Sequence, residues 1–130
     1  MNINLVEVAI QSLRVNPIHN KWELHFKDNT DHYLPVFLEE HQASLIGMEM
    51  RKPGSVEPAD IAIAGIDLKV YKLESVIVDD LKGGILNTRL ELKHNDRHLQ
   101  VDYPAEKAIV LALKEGVPII MEEDGRNNKS

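Results

Sequence analysis

The stretch from Asp102 to Glu123, DYPAEKAIVLALKEGVPIIMEE, predicts the end of a strand, a helix and a final short strand. Pro104 suits the first helical position, and Glu106 can reach back toward the helix start. Gly116 favours a C-terminal cap, and Pro118 prevents the helix from continuing. The apolar positions recur at helical spacing and include small residues that would let the helix lie close on a sheet. The stripe consists of Ala105, Ala108, Ile109, Ala112 and Leu113, and most such stripes are core.

A second helix is predicted upstream, from Glu39 to Arg51, where Pro53 and Gly54 end the helical pattern. The segment PADIAIA, residues 58–64, fits either a short helix or an extended stretch. Alternating apolar and polar residues predict strands elsewhere. The strand segments are residues 4–15, KWELHFK, HYLPVFL, LKVYKLESVIV, ILNTRLELK and HLQVDY. HYLPVFL is apolar on both faces, which suggests a strand covered on both sides, although Pro35 favours an edge or a bulge.

Both halves of the chain read strand, strand, strand, helix, which suggests a duplicated βββα unit. The segment DHYLPVFLEEHQASLIG can be overlaid on DRHLQVDYPAEKAIVLA. The overlay matches Leu34 with Leu99, Val36 with Val101 and Ala43 with Ala108. We therefore expect the two helices to pack on the same sheet face, related by an approximate internal two-fold.

Composition limits the class of protein. The chain has 130 residues and 43% hydrophobic residues, enough for one domain with its own core. We expect this domain to span residues 1–122, followed by a polar tail over residues 123–130. The sequence contains no cysteine, which excludes disulfides, thiol catalysis and Cys-ligated zinc. No apolar run reaches membrane-spanning length, and MNINLVEV lacks the features of a signal peptide, so we expect a cytoplasmic protein with no membrane partner.

Three segments in order, LPVFLEEHQASLIG, VIVDDLKGG and VDYPAEKAIVLALKEGVPI, resemble the bifunctional nuclease domain family (BFN). The resemblance runs from about Leu34 to Met121. It implies an α+β fold with a mixed sheet, two main helices and a tendency to form homo-oligomers. It also implies metal-assisted cleavage of DNA and RNA; the cofactor stays open, with Mg²⁺ and Mn²⁺ as candidates.

The family pattern is not retained at its charged positions. Its helix-opening glutamate aligns with Gln42, and the Arg and Asp of its R-P-S-D motif align with Pro104 and Lys107. A one-residue slip places Tyr103–Glu106 on R-P-S-D and recovers an acid at Glu106, at the expense of an insertion at Lys107. The resemblance therefore implies a nuclease whose site residues have partly changed.

The residues leave three carboxyl or imidazole groups as catalytic candidates: Glu106, Asp102 and His41. Phosphodiester hydrolysis uses carboxylates that hold a divalent cation, or a histidine base beside a phosphate clamp. Asp102 and Glu106 lie at a strand–helix junction, and they could face one cleft beside His41 if the two helices pack as neighbours. Position alone supports this site.

Other polar clusters have simpler interpretations. Asp79 and Asp80 read as turn acids, since adjacent acids in a strand point to opposite faces. The turn HNDRH contains metal-ligating residue types, His94, Asp96 and His98, without a known metal spacing. The pair Gly83–Gly84 lacks the helix start that a phosphate loop requires.

The formal charge of −6 predicts weak affinity for nucleic acid, because such binding depends on lysine and arginine. The apolar strand HYLPVFL and a helix face with Met48 and Met50 predict a homodimer or larger assembly. Three functions stay open. They are a weak divalent-metal-dependent nuclease, a non-catalytic oligomeric binding or assembly module with a decayed site, and a small-ligand sensor with a cleft between the two helices.

Overall fold

The computed structural model describes residues 3–62, 65–79 and 86–124, and these form one seven-stranded sheet with two α-helices. The pair Gly83–Gly84, Asp80 and residues 125–130 of the predicted tail lie outside these ranges. The strands are β1 (Ile3–Asn16), β2 (Lys21–Asp28), β3 (Tyr33–Leu38), β4 (Lys72–Asp79), β5 (Thr88–His94), β6 (Arg97–Tyr103) and β7 (Ile119–Asp124). The helices are α1 (Glu40–Arg51) and α2 (Ala105–Glu115), and Pro58–Ile61 form a 3-10 turn.

The strand order is β3-β2-β1-β7-β4-β5-β6. All neighbours are antiparallel except β4 and β7, which run parallel, so the sheet is mixed. This confirms the predicted α+β fold with a mixed sheet and two helices. The meanders β1–β3 and β4–β6 flank β7, which is compatible with a duplicated unit, but the duplication stays a prediction.

The two helices contact each other and lie on the same face of the sheet, α1 over β2 and α2 over β4 and β5. Buried residues of neighbouring strands form a row across this face: Val76 of β4 pairs with Ile119 of β7 and with Leu90 of β5. A small residue allows α1 to lie close to β1. Gly47 of α1 is buried, and a methyl group there would lie 3.4 Å from a Leu13 side-chain carbon and 3.1 Å from the Arg51 guanidinium.

The structure corrects two details of the sequence interpretation. β3 is covered on one face only: Val36 and Leu38 are buried, while Tyr33 and Phe37 are exposed. β3 lies at the sheet edge, as Pro35 had indicated. The last strand extends to Asp124, so two residues of the predicted tail pair with β1.

No helix within the described ranges is both long and apolar enough to cross a membrane.

Candidate functional site at the starts of the two helices

The N-termini of the two helices meet at the contact between Gln42 and Glu106. Each helix follows an edge strand after a single linking residue, α1 after β3 and α2 after β6. The Gln42 Nε2 donates a hydrogen bond of 3.3 Å to the Glu106 carboxylate. The Gln42 amide oxygen accepts a bond of 2.9 Å from the backbone N–H of Glu39, which fixes the side chain at the helix start. The half-buried Glu106 carboxylate therefore lies where two helix dipoles present their positive ends.

Tyr103, the last residue of β6, bonds to the 3-10 turn. Its hydroxyl is shared between the carbonyl oxygens of Ile61, at 2.5 Å, and Ala62, at 2.9 Å. Burial, and then the charge on Glu106, raise the pKa of the Tyr103 hydroxyl. A phenol that is held protonated and bonded to two carbonyls fastens the chain rather than supplying a reactive group.

We expect Tyr103→Phe to lower the free energy of unfolding by about 1 to 2 kcal/mol, because it leaves two carbonyls without this donor. Chemical denaturation measures the change. Tyr33→Phe is the matched control, since the Tyr33 ring is largely exposed, and it should change stability little. Equal effects of the two substitutions would contradict the fastening role.

Asp102 lies on the other face of the sheet. Its strand neighbours Val101 and Tyr103 pack against the core, and successive side chains of a strand point to opposite faces. Asp102 is exposed and faces Arg89 across the β5–β6 pair. The structure therefore brings Glu106 together with Gln42 but places Asp102 away from them.

His41 is exposed on the first turn of α1, with its Nδ1 3.5 Å from a Glu39 carboxylate oxygen. It precedes the Gln42 that contacts Glu106, so two of the three predicted site residues lie at the same end of the helix pair. The predicted cleft that joins all three residues is absent from the described part of the chain.

The sheet face that carries Asp102 also carries a charge network that the sequence analysis did not predict. The Arg89 guanidinium donates to Glu122 at 2.9 Å and also binds Asp79. Burial lowers the pKa of Arg89, but the hydrogen bonds to Glu122 and Asp79 outweigh it, so the net shift is upward. Arg89 Nε is buried without a partner in the structure. The network connects β4, β5 and β7, and its single cation is shared between two acids.

The donor set does not fit a resident Mg²⁺ or Mn²⁺. Within residues 3–62, 65–79 and 86–124, no group of three or more histidine, aspartate and glutamate side chains is placed to hold a metal. At the helix starts Glu106 contacts the amide of Gln42, while Glu39 and Glu40 are exposed at the start of α1. The turn histidines diverge: His94 Nδ1 lies 3.2 Å from the carbonyl of Val70, and His98 lies 3.8 Å from Glu74.

An open cleft of about 760 Å³ lies beside the start of α1. Its lining includes Trp22, Phe37, Glu39, Glu40 and Gln42. Lys21 also lines the cleft, with its ammonium 5.7 Å from the centre of the Phe37 ring. The sequence did not indicate this cleft, because its walls combine the edge strand, its neighbour and a helix start.

Comparison with known proteins identifies relatives. A family model described as "Bifunctional nuclease domain" matches residues 24–127. Uncharacterised proteins from two strains of Mycobacterium tuberculosis are each 29% identical over 123 residues, which cover 90% of this chain and 71% of theirs. The names of these relatives assign no activity.

Proposed function

We propose that this chain, which belongs to the bifunctional nuclease domain family, acts as a non-catalytic, oligomeric binding or assembly module in which the nuclease site has decayed. The relatives carry no assigned activity, so the proposal depends on the residues at the helix starts.

The hydrogen bond between Gln42 and Glu106 supports this proposal most directly. The resemblance to the family places an acid at Gln42, and an amide there contributes no charge toward a cation. Lys107 follows Glu106, and an ammonium group repels a divalent ion. Asp102, the other candidate acid, lies on the opposite face of the sheet. Of the two candidate acids, Glu106 alone lies at the Gln42 contact.

The expected effect on catalysis is large. Removal of one preorganised group that stabilises transition-state charge typically costs about 3 to 4 kcal/mol, or 10²- to 10³-fold in rate. The affinity for a nucleic-acid substrate should also be weak, because a chain of net charge −6 repels the phosphate backbone.

A residual nuclease is the second candidate, and the convergence of two helix N-termini favours it. Backbone N–H groups at such ends bind phosphates. In this alternative Glu106 accepts a proton from the attacking water, and His41 is the acid available to the leaving oxygen. Asp102 lies on the other face of the sheet and takes no part in this alternative. Mg²⁺ or Mn²⁺ would neutralise phosphate charge and would be bound largely through the substrate.

We expect the purified protein to show no cleavage, or barely detectable cleavage, of plasmid DNA and single-stranded RNA in Mg²⁺ or Mn²⁺. Gel assays over hours, with and without chelator, measure this. Glu106→Gln is the matched variant, because it keeps the shape of the side chain and removes its charge. Robust cleavage that is lost on chelation and in Glu106→Gln would overturn the decayed site and establish the residual nuclease.

A further inference from the structure

The two edges of the sheet differ in how they are protected. The edge strand β3 contains Pro35, which cannot donate a backbone hydrogen bond. The other edge strand, β6, contains no proline, and residues 97–100 are all exposed. An unprotected edge of this length is a template for another strand.

The β5–β6 hairpin determines which backbone groups of β6 face outward. Asn95 and Asp96 form its two-residue turn, and Asn95 has a φ of 54°. In such a turn the closing pair, His94 and Arg97, is hydrogen bonded, and hydrogen-bonded pairs then alternate along the ladder. Residues 97, 99, 101 and 103 therefore bond to β5. The backbone groups of His98, Gln100 and Asp102 point away from the sheet.

We infer that β6 pairs with β6 of a second copy of this chain, antiparallel and centred on Gln100. The inference rests on the proposed assembly function and specifies its surface. The two sheets become continuous across a two-fold axis, and both pairs of helices lie on the same face.

The outward-facing backbone groups of β6 determine the register of the β6–β6 pair. An antiparallel pair centred on Gln100 places His98 opposite Asp102 of the second copy and Gln100 opposite itself. All three outward-facing residues of each copy are then hydrogen bonded. Centring on Leu99 or Val101 leaves one of the three without a strand partner.

Side chains favour the same register. On one face, the His98 imidazole meets an Asp102 carboxylate, an acceptor for its N–H. On the other face, Leu99, which is 38% exposed in the single chain, meets Val101 of the second copy. A register centred on Asp102 would oppose two carboxylates, which is unfavourable.

Cysteine cross-linking tests this interface, because the chain contains no cysteine of its own. Cα atoms of a hydrogen-bonded antiparallel pair are about 5.5 Å apart, within the disulfide range of about 4.4–6.8 Å. The Gln100 side chain is exposed and bonds only weakly, at 3.2 Å, to Glu91. We expect Gln100→Cys to form a covalent dimer under mild oxidation.

Two single variants are matched controls. His98→Cys and Asp102→Cys place each thiol about 13 Å from its own copy, four strand residues away, so neither should cross-link. The double variant His98→Cys/Asp102→Cys should cross-link, because each thiol then faces the other. Cross-linking of His98→Cys alone, with none for Gln100→Cys, would overturn the register.

Light scattering separates the interface from the assembly function. We expect a dimer or larger assembly at micromolar concentration, and a smaller species for Gln100→Pro, which removes an outward N–H. Circular dichroism checks that this variant is folded, and Gln100→Ser is the control that should retain the assembly. An assembly that persists in Gln100→Pro, with no Gln100→Cys cross-link, overturns the β6 interface alone. A wild-type monomer overturns the assembly function itself.

Discussion

Replacing Glu49 by alanine is expected to lower the free energy of unfolding by about 3 to 5 kcal/mol, the range for breaking a buried ionic contact. The Glu49 side chain is only 2% exposed. Its carboxylate accepts hydrogen bonds from the backbone N–H groups of Gly54, at 2.7 Å, and Val56, at 3.3 Å. Lys114 of α2 lies 3.8 Å away. One side chain thus fastens the loop after α1 and connects the two helices electrostatically.

Two variants define what the carboxylate contributes. Glu49→Gln keeps an acceptor and the shape of the side chain, so its loss should be intermediate. Glu40→Ala removes an exposed acid from the first turn of the same helix and should cost at most about 1 kcal/mol. Urea unfolding measures all three. A Glu49→Ala cost no larger than that of Glu40→Ala would contradict the fastening role.

Periodicity predicted much of the fold because it reports on local burial. Helical spacing predicted α1 and α2, and the alternation of apolar and polar residues predicted β2, β5 and β6. The helical spacing of α1 did not indicate that Glu49 is buried. Its partners are backbone N–H groups of Gly54 and Val56, and no sequence pattern records which amides a loop will present.

The site was only partly predictable. Alternation in β6, with Val101 and Tyr103 inward, already implies that Asp102 faces the other way. Its predicted convergence with Glu106 conflicted with that pattern. The Arg89 network requires β7 to insert between β1 and β4. Such non-local pairing carries no local signature, so Glu122 could not be assigned to Arg89 from the sequence.

The predicted stripe of α2 makes one further distinction that only the structure shows. Ile109 and Leu113 lie four residues apart on the same stripe, and the sequence treats them alike. In the structure Ile109 is fully buried, while Leu113 is 38% exposed near the end of the helix. The end of α2 therefore packs less tightly than its middle, which lies over the sheet and against α1.

Ile109→Ala should therefore destabilise the protein by about 2 to 5 kcal/mol, through lost burial and the cavity that remains. Leu113→Ala removes a side chain of similar size from the same helix, but it should cost only about 1 kcal/mol because part of that surface already contacts water. Denaturant unfolding of both variants measures the difference.

The helix α2 also carries Glu106, so loosening of the helix should weaken the Gln42–Glu106 contact. The effect should be larger in Ile109→Ala than in Leu113→Ala, and the side-chain amide signals of Gln42 in NMR spectra would report it. Equal costs for the two substitutions would mean that the middle of α2 is no better packed than its end, and the interpretation of α2 as the central core helix would be wrong.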